Sequence, residues 1–330
     1  MTLRYQASGL RAVDPILALS VFSAAASANI AMTLALHGPN ATNANSCASG
    51  ALAIGQAFDL IRRGGAPFML AGGAETPLAP LTFGSFALIH ALSTHNATPE
   101  TASRPFDATR DGFVMAEGAA VLLLEELDHA LARHAPIYAE LAGFATTTDA
   151  FHMTAPLPSG AQVIRVMRTA LAKAGIAPAE VGYVNVHGSG TPLGDRVEVH
   201  ARREVFGADG AGVPMSGTKA LTGHALGATG ALEAAASPGA APRLAAACVQ
   251  YRRARPGLRS AVHRRRRPGT ARGQYPEQFV RLWRPQRGPG PAALGRVAAR
   301  PPPPWPRSCD PRVAGDGAAA DVPWEEAQGI

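Results

Sequence analysis

Apolar positions along residues 1–236 switch between two periods. In residues 48–63, Leu52, Phe58 and Ile61 recur at helical spacing, which predicts a long helix opened by Cys47 and ended by Gly64 and Gly65. Residues 162–174 predict an amphipathic helix that stops at Gly175, and residues 194–206 predict another. Short apolar runs between them predict strands. Residues 41–46 form a short strand leading into Cys47, and residues 67–72 and 119–124 read as buried strands. Residues 137–145, 181–186 and 214–218 complete the set, and residues 222–236 start a helix of small residues. Strands alternating with helices argue for an α/β fold. No short-period repeat interrupts the pattern.

Composition changes this picture at one place. The chain has 330 residues, 47% of them hydrophobic, enough for one large domain or two modest ones with a real core. Its formal charge of +7 is unevenly spread: residues 1–236 carry a net −4, and residues 237–330 a net +11 from 17 arginines and no lysine. Fifteen of the 28 prolines also fall in that last segment. Proline and arginine without apolar periodicity cannot bury a core, so residues 237–330 are expected to be disordered. No compact apolar run follows a basic start, as a signal peptide requires, and apolar stretches break before the ~18 residues of a membrane span. Three scattered cysteines suit neither a disulfide framework nor a metal site. A soluble cytoplasmic setting is expected, with no metal and no membrane.

Three segments carry candidate chemistry. In Asn45-Ser46-Cys47-Ala48-Ser49-Gly50 a cysteine sits at a strand-to-helix turn. Helix N-terminal N–H groups favour the nucleophilic thiolate, and the small neighbours let substrate approach. In Val186-His187-Gly188-Ser189-Gly190-Thr191 a histidine ends a strand and a hydroxyl-bearing loop follows, with Asp195 and Glu198 on the next helix. In Thr218-Lys219-Ala220-Leu221-Thr222-Gly223-His224 one of only two lysines in residues 1–236 stands five positions before a histidine. Open α/β sheets place active sites at such strand ends. Taken singly, Cys47 is as well read as an inert buried thiol and His187 as a core histidine beside a turn, and the third segment is better read as a glycine-rich helix packed on a sheet, with His224 merely capping it.

Taken together, and in order with Ala71-Gly72-Gly73-Ala74-Glu75, Arg104-Pro105-Phe106-Asp107, Arg110-Asp111-Gly112-Phe113 and Asp149-Ala150-Phe151-His152-Met153-Thr154, the segments resemble the β-ketoacyl-[acyl carrier protein] synthases of the thiolase superfamily. The resemblance implies a thiolase-like layered α/β/α/β/α fold, incomplete at both ends. It divides the chain into residues 1–135, the remnant of the half that carries the nucleophile, residues 136–236, the half with the histidines and lysine, and the tail 237–330. It further implies that Cys47 accepts an acyl chain as a thioester, and that His187 and His224 donate to the malonyl thioester carbonyl while carbon dioxide leaves. Lys219 would pair with Glu198, and Ser189 and Thr191 would bind a phosphopantetheine arm. The implied partners are an acyl carrier protein and either a second copy or a ketosynthase partner subunit. No cofactor is implied, since substrates ride on the carrier's phosphopantetheine.

The resemblance also exposes two departures. Only 46 residues precede Cys47, so the first strands of the N-terminal half are expected to be absent. The family's Gly-Phe-Gly-Gly gating loop does not occur after Gly230. Codons for residues 277–287, read one base along, can encode Ser-Asn-Ser-Phe-Gly-Phe-Gly-Gly-His-Asn, and other tail segments behave alike. Residues from about Ala235 onward are therefore expected to be an out-of-frame translation rather than a nucleic-acid-binding arm, despite the run His263-Arg264-Arg265-Arg266-Arg267. The alternative to an active condensing enzyme is a catalytically dead remnant of one. A cysteine hydrolase using Cys47 and His187 is disfavoured, because hydrolysis needs neither Lys219 nor a second histidine.

Overall fold

The computed structural model describes residues 2–20, 22–207 and 213–244 and the pair Trp283-Arg284, all within one compact unit, Met1–Gln286. Ten helices are described: α1 (Thr2–Ser8), α2 (Leu17–Ser20), α3 (Ala25–Thr33), α4 (Ser49–Arg62), α5 (Pro80–Leu88), α6 (Leu127–Ala132), α7 (Ala161–Ala174), α8 (Pro192–Phe206), α9 (Lys219–Thr222) and α10 (Thr229–Leu244). Strands β1 (Phe68–Glu75) and β2 (Gly118–Glu125) pair antiparallel over eight residues. Strands β4 (Val184–Asn185) and β5 (Met215–Ser216) pair parallel, and β3 (Glu140–Leu141) pairs antiparallel with β6 (Trp283–Arg284).

The core that holds the site lies where α4 and α10 pack on the β1–β2 ladder. Helix α4 turns Gly50, Ile54 and Ala57 inward, one face at helical spacing. Ile54 and Ala57 meet Ala71, Leu124 and Ala231, with Phe58, Ile61, Met69 and Leu122 around them. The crossing of the two helices is unusually close and reciprocal. A Cβ on Gly50 would lie 2.7 Å from the Ala231 nitrogen, and a Cβ on Gly230 would lie 2.7 Å from the Ala51 nitrogen. Only glycine at both positions allows the backbones to touch. Each helix is also entered the same way: a 3-10 turn, Ser46–Ala48 before α4 and Leu226–Ala228 before α10, each begun by a non-glycine residue at positive φ, Ser46 at 48° and Leu226 at 37°.

Several expectations change. Residues 41–46 form no strand; they run unpaired into the turn at Ser46, because no neighbouring strand accepts their hydrogen bonds. The strands expected over 67–72 and 119–124 are buried on one face only, leaving Val121 53% and Leu123 52% exposed, since both packed helices lie on the other side. A continuous apolar run conceals that asymmetry. The helix expected from residue 222 is split by Gly223 at φ 69°, which ends α9 and turns the chain so that His224 faces inward. Helix α10 continues to Leu244, eight residues beyond the expected boundary, and Trp283-Arg284 pairs with β3. The rest of the segment 237–330, for which disorder is expected, lies outside the described residues. No described helix is long and apolar enough to cross a membrane.

Candidate active site

Cys47 sits in the 3-10 turn ahead of α4, half-buried, with its Sγ 3.1 Å from His224 Nε2. His187 follows β4 by two residues, and its ring lies 5.1 Å from that of His224, nearly perpendicular at 83°. One ligating atom from each of Cys47, His187 and His224 lies within 4.8 Å of the others. The three residues singled out in the sequence thus converge, although 140 and 37 positions separate them along the chain.

The imidazoles are held neutral. Burial, helped by the charge of Lys219, lowers His224 to about 3. The same two causes, with His224 itself, drive His187 well below its usual range. Part of His187 reaches solvent, and the charge of Lys219 and the neighbouring His224 also disfavour its charged form. His224 Nδ1 is 2.9 Å from the Thr229 hydroxyl, and Phe113 packs edge-on against its ring at 5.0 Å. Because a hydroxyl both donates and accepts, Thr229 supports either tautomer of His224. The Cys47 thiol behaves differently from the sequence expectation. Burial raises its pKa and outweighs the lowering by Lys219 and by its own backbone N–H, so the resting group is a thiol with an imidazole nitrogen in reach of its proton.

Lys219 is 1% exposed and donates to the His187 carbonyl and to Glu233 Oε1 at 2.7 Å. The expected Lys219–Glu198 pair is not formed. Glu198 reaches back from α8 to accept the backbone N–H groups of His187 at 2.6 Å and Gly188 at 2.7 Å. Gly188 at φ 44° aligns the two N–H groups on one carboxylate, leaving Lys219 to the carboxylate on α10. Burial raises Glu198 to about 7 against the pull of those N–H groups. Ser189 and Thr191 pair hydroxyl to hydroxyl at 3.1 Å, Ser189 buried and Thr191 at the entrance of α8.

Two site residues escaped the sequence reading. Glu233 lies four residues after Thr229, so both project from one side of α10, Thr229 onto His224 and Glu233 onto Lys219. A lone carboxylate in a helix of alanine, glycine and leucine was the available signal. Glu75, at the end of β1, accepts the N–H of Gly227 at 3.2 Å and ties the turn that opens α10 to the ladder. The Arg-Pro-Phe-Asp and Arg-Asp-Gly-Phe segments form a wall beside the site: Asp195 binds the Phe106 N–H at 2.6 Å, the Gly190 N–H at 3.1 Å and Arg110 at 3.0 Å. Phe106 is fully buried at φ 64°, a conformation this fixed acceptor holds in place.

A thiol, two neutral imidazole donors and a buried lysine ion pair can form a thioester and then stabilise negative charge on an oxygen beside it. Comparison with known proteins agrees. The family described as "Beta-ketoacyl synthase, N-terminal domain" matches residues 2–130, and "Beta-ketoacyl synthase, C-terminal domain" matches residues 138–239. The chain is 45% identical over 226 residues to a 3-oxoacyl-[acyl-carrier-protein] synthase 2 of Staphylococcus aureus, a match covering 68% of this chain and 56% of that protein. The chain thus spans about half the length of such relatives. A type II PKS ketosynthase solved with its acyl-carrier protein and bound to the hexaketide superposes with a TM-score of 0.75 at 34% identity, over 80% of this chain and 66% of that one. The ishigamide ketosynthase/chain length factor gives 0.71 at 32% identity, over 80% and 64%. The layered thiolase-like fold is shared with these structures. With both halves of the site and both family domains accounted for, the chain belongs to the β-ketoacyl synthase family.

Proposed function

We propose that this chain carries the centre of a cytoplasmic β-ketoacyl-[acyl carrier protein] synthase, which condenses an acyl thioester with malonyl-[acyl carrier protein] in fatty-acid or polyketide-type biosynthesis. The observation that carries the reading is the convergence of Cys47 with two neutral imidazoles beside the Lys219–Glu233 pair. Cys47 Sγ attacks the acyl thioester carbonyl, its proton leaves toward His224 Nε2, and the carrier thiol departs with a proton. The malonyl thioester then enters. His187 and His224 donate to its carbonyl oxygen as the carboxylate leaves as carbon dioxide, so the electron pair rests on an enolate held by two neutral donors. The enolate carbon attacks the Cys47 thioester, the C–C bond forms, and the sulfur leaves as a thiolate that takes a proton from solvent. A neutral imidazole is the better donor here, since an imidazolium would ion-pair with the malonyl carboxylate and hold it in place.

Ser189 and Thr191 are read as the hydroxyls that steady the phosphopantetheine arm; their position on the loop directly after His187 supports this. The acyl carrier protein is the proposed partner, with a second copy or a partner subunit completing the assembly. The acyl-carrier protein and chain length factor named with the similar ketosynthases support that reading. The test is mass spectrometry after incubation with an acyl-carrier substrate. An acyl adduct is expected on Cys47 and absent from Cys47→Ser. In parallel, His187→Ala and His224→Ala are each expected to slow release of labelled carbon dioxide from malonyl-carrier by ~10²–10³, the usual cost of one oxyanion donor. An adduct elsewhere, or undiminished release from either variant, overturns the assignment.

A further inference from the structure

We propose that Cys47, His187 and His224 also form a three-ligand site for a soft divalent cation, Zn²⁺ foremost, whose occupancy silences the thiol. The donor set is one sulfur and two imidazole nitrogens, the kind that binds zinc through three protein ligands and leaves a fourth position open. The spacing fits after a small closure. Bonds of ~2.3 Å to sulfur and ~2.0 Å to nitrogen in a tetrahedron set ligand atoms roughly 3.3–3.7 Å apart. Here Sγ and His224 Nε2 are already 3.1 Å apart, and the whole trio lies within 4.8 Å. The near-perpendicular rings at 5.1 Å can present nitrogen edges to one shared point, where parallel stacked rings could not.

The surroundings favour ligation. His224 is oriented from behind by Thr229 at 2.9 Å, the outer hydrogen bond that metal-bound imidazoles usually have. The His187 backbone is pinned on both sides, its N–H on Glu198 and its carbonyl on Lys219. His187 is the exposed member and Cys47 is half-buried, so an ion entering from solvent meets a ligand first and the thiol next. Lys219 opposes a cation, but its charge is matched by Glu233 at 2.7 Å. That residual opposition separates a reversible inhibitory site from a structural one. The trio is invisible to spacing rules, because zinc motifs are recognised by ligands a few positions apart.

Silencing rests on the proposed function, whereas binding stands on the geometry alone. The experiment is titration of the full chain with Co²⁺, followed by Zn²⁺. One equivalent of Co²⁺ is expected to give a thiolate-to-cobalt charge-transfer band and intense tetrahedral d–d absorption, both erased by one equivalent of Zn²⁺. Cys47→Ser abolishes the charge-transfer band. His187→Ala and His224→Ala each weaken binding by on the order of a hundredfold or more, beyond the 10–100-fold typical of losing an outer partner. Circular dichroism of each variant checks that it is folded. Cys248→Ser and Cys309→Ser retain the band. A band that survives Cys47→Ser, or no band in the unaltered chain, overturns the proposal. If Cys47 takes no acyl group but the band and its variant dependence hold, the condensing reading fails and the metal site stands. Acyl transfer undiminished at saturating Zn²⁺ overturns the silencing.

Discussion

Replacing Glu233 by glutamine tests which carboxylate balances the buried charge of Lys219. Lys219 is 1% exposed and the Glu233 side chain 16%, with 2.7 Å between Nζ and Oε1. At that separation an effective dielectric near 20 gives roughly 6 kcal/mol of attraction, largely offset by the cost of taking both ions out of water. Neutralising one partner removes the attraction and leaves the other's desolvation uncompensated, which costs about 3–5 kcal/mol. That is a large fraction of the 5–15 kcal/mol that typically holds a domain together. Glu233→Gln is therefore expected to lower the urea midpoint sharply at pH 7, followed by circular dichroism. Lys219→Met with Glu233→Leu removes both charges and is expected to recover most of the loss. The full double-mutant cycle should report coupling of at least ~2 kcal/mol. The same cycle between Lys219 and Glu198 should report far less, because Glu198 spends its oxygens on the backbone of His187 and Gly188. Coupling of Lys219 to Glu233 below ~0.5 kcal/mol, or stronger coupling to Glu198, refutes the reasoning.

Two further outcomes follow from the packing and the protonation states. Gly230→Val drives a side chain into the Ala51 backbone, where the Cβ alone would sit 2.7 Å from nitrogen, and is expected to cost about 1–3 kcal/mol or prevent folding, read as a lower melting temperature. His224 has a folded pKa of about 3, below its unfolded value near 6.5. Between those values the unfolded chain holds a proton that the folded chain does not, so stability rises with pH and is lost as pH falls from about 6.5 toward 3. The loss has a ceiling of about 5 kcal/mol at 1.36 kcal/mol per unit. Unfolding free energies from pH 4 to 7 should slope less in His224→Gln than in the unaltered chain, and equal slopes would show that the imidazole is not held neutral.

The sequence carried the helices and the chemistry better than the strands. Helix ends were legible because their stops are local: Gly175 adopts the left-handed cap that ends α7 where the glycine predicts it. The ladder's one-sided burial was not legible, since Leu122 and Leu123 are chemically alike and only the placement of α4 and α10 makes one interior and its neighbour exposed. The split between α9 and α10 needed the positive φ at Gly223 and Leu226, and a leucine gives no warning of that. At the site, Cys47, His187 and His224 stood out as candidates because each sits among small residues at an element's end, but only the ordered resemblance to a family joined them into one set. The partner of Lys219 was missed because choosing between Glu198 and Glu233 is a question of which backbone N–H groups are unoccupied nearby, and that is settled only in three dimensions. Thiolate stabilisation at a helix start was also overestimated, because burial acts on Cys47 more strongly than the one backbone N–H in reach, its own.

The reciprocal glycine contact between α4 and α10 works as a pivot set near one end of each lever. Gly50 is three residues from Cys47, and Arg62 at the far end of α4 is twelve residues from Gly50. At 1.5 Å per residue the short arm is about 4.5 Å and the long arm about 18 Å. A rocking of 5° about the crossing moves the far end by about 1.6 Å and the Cys47 end by only about 0.4 Å. Thr229 stands one residue from the pivot on α10, so the hydroxyl behind His224 moves less still. A rocking of the helices would thus be geared down at the tips that hold the sulfur and the imidazole, so the two would keep their register while the far end of α4 moved.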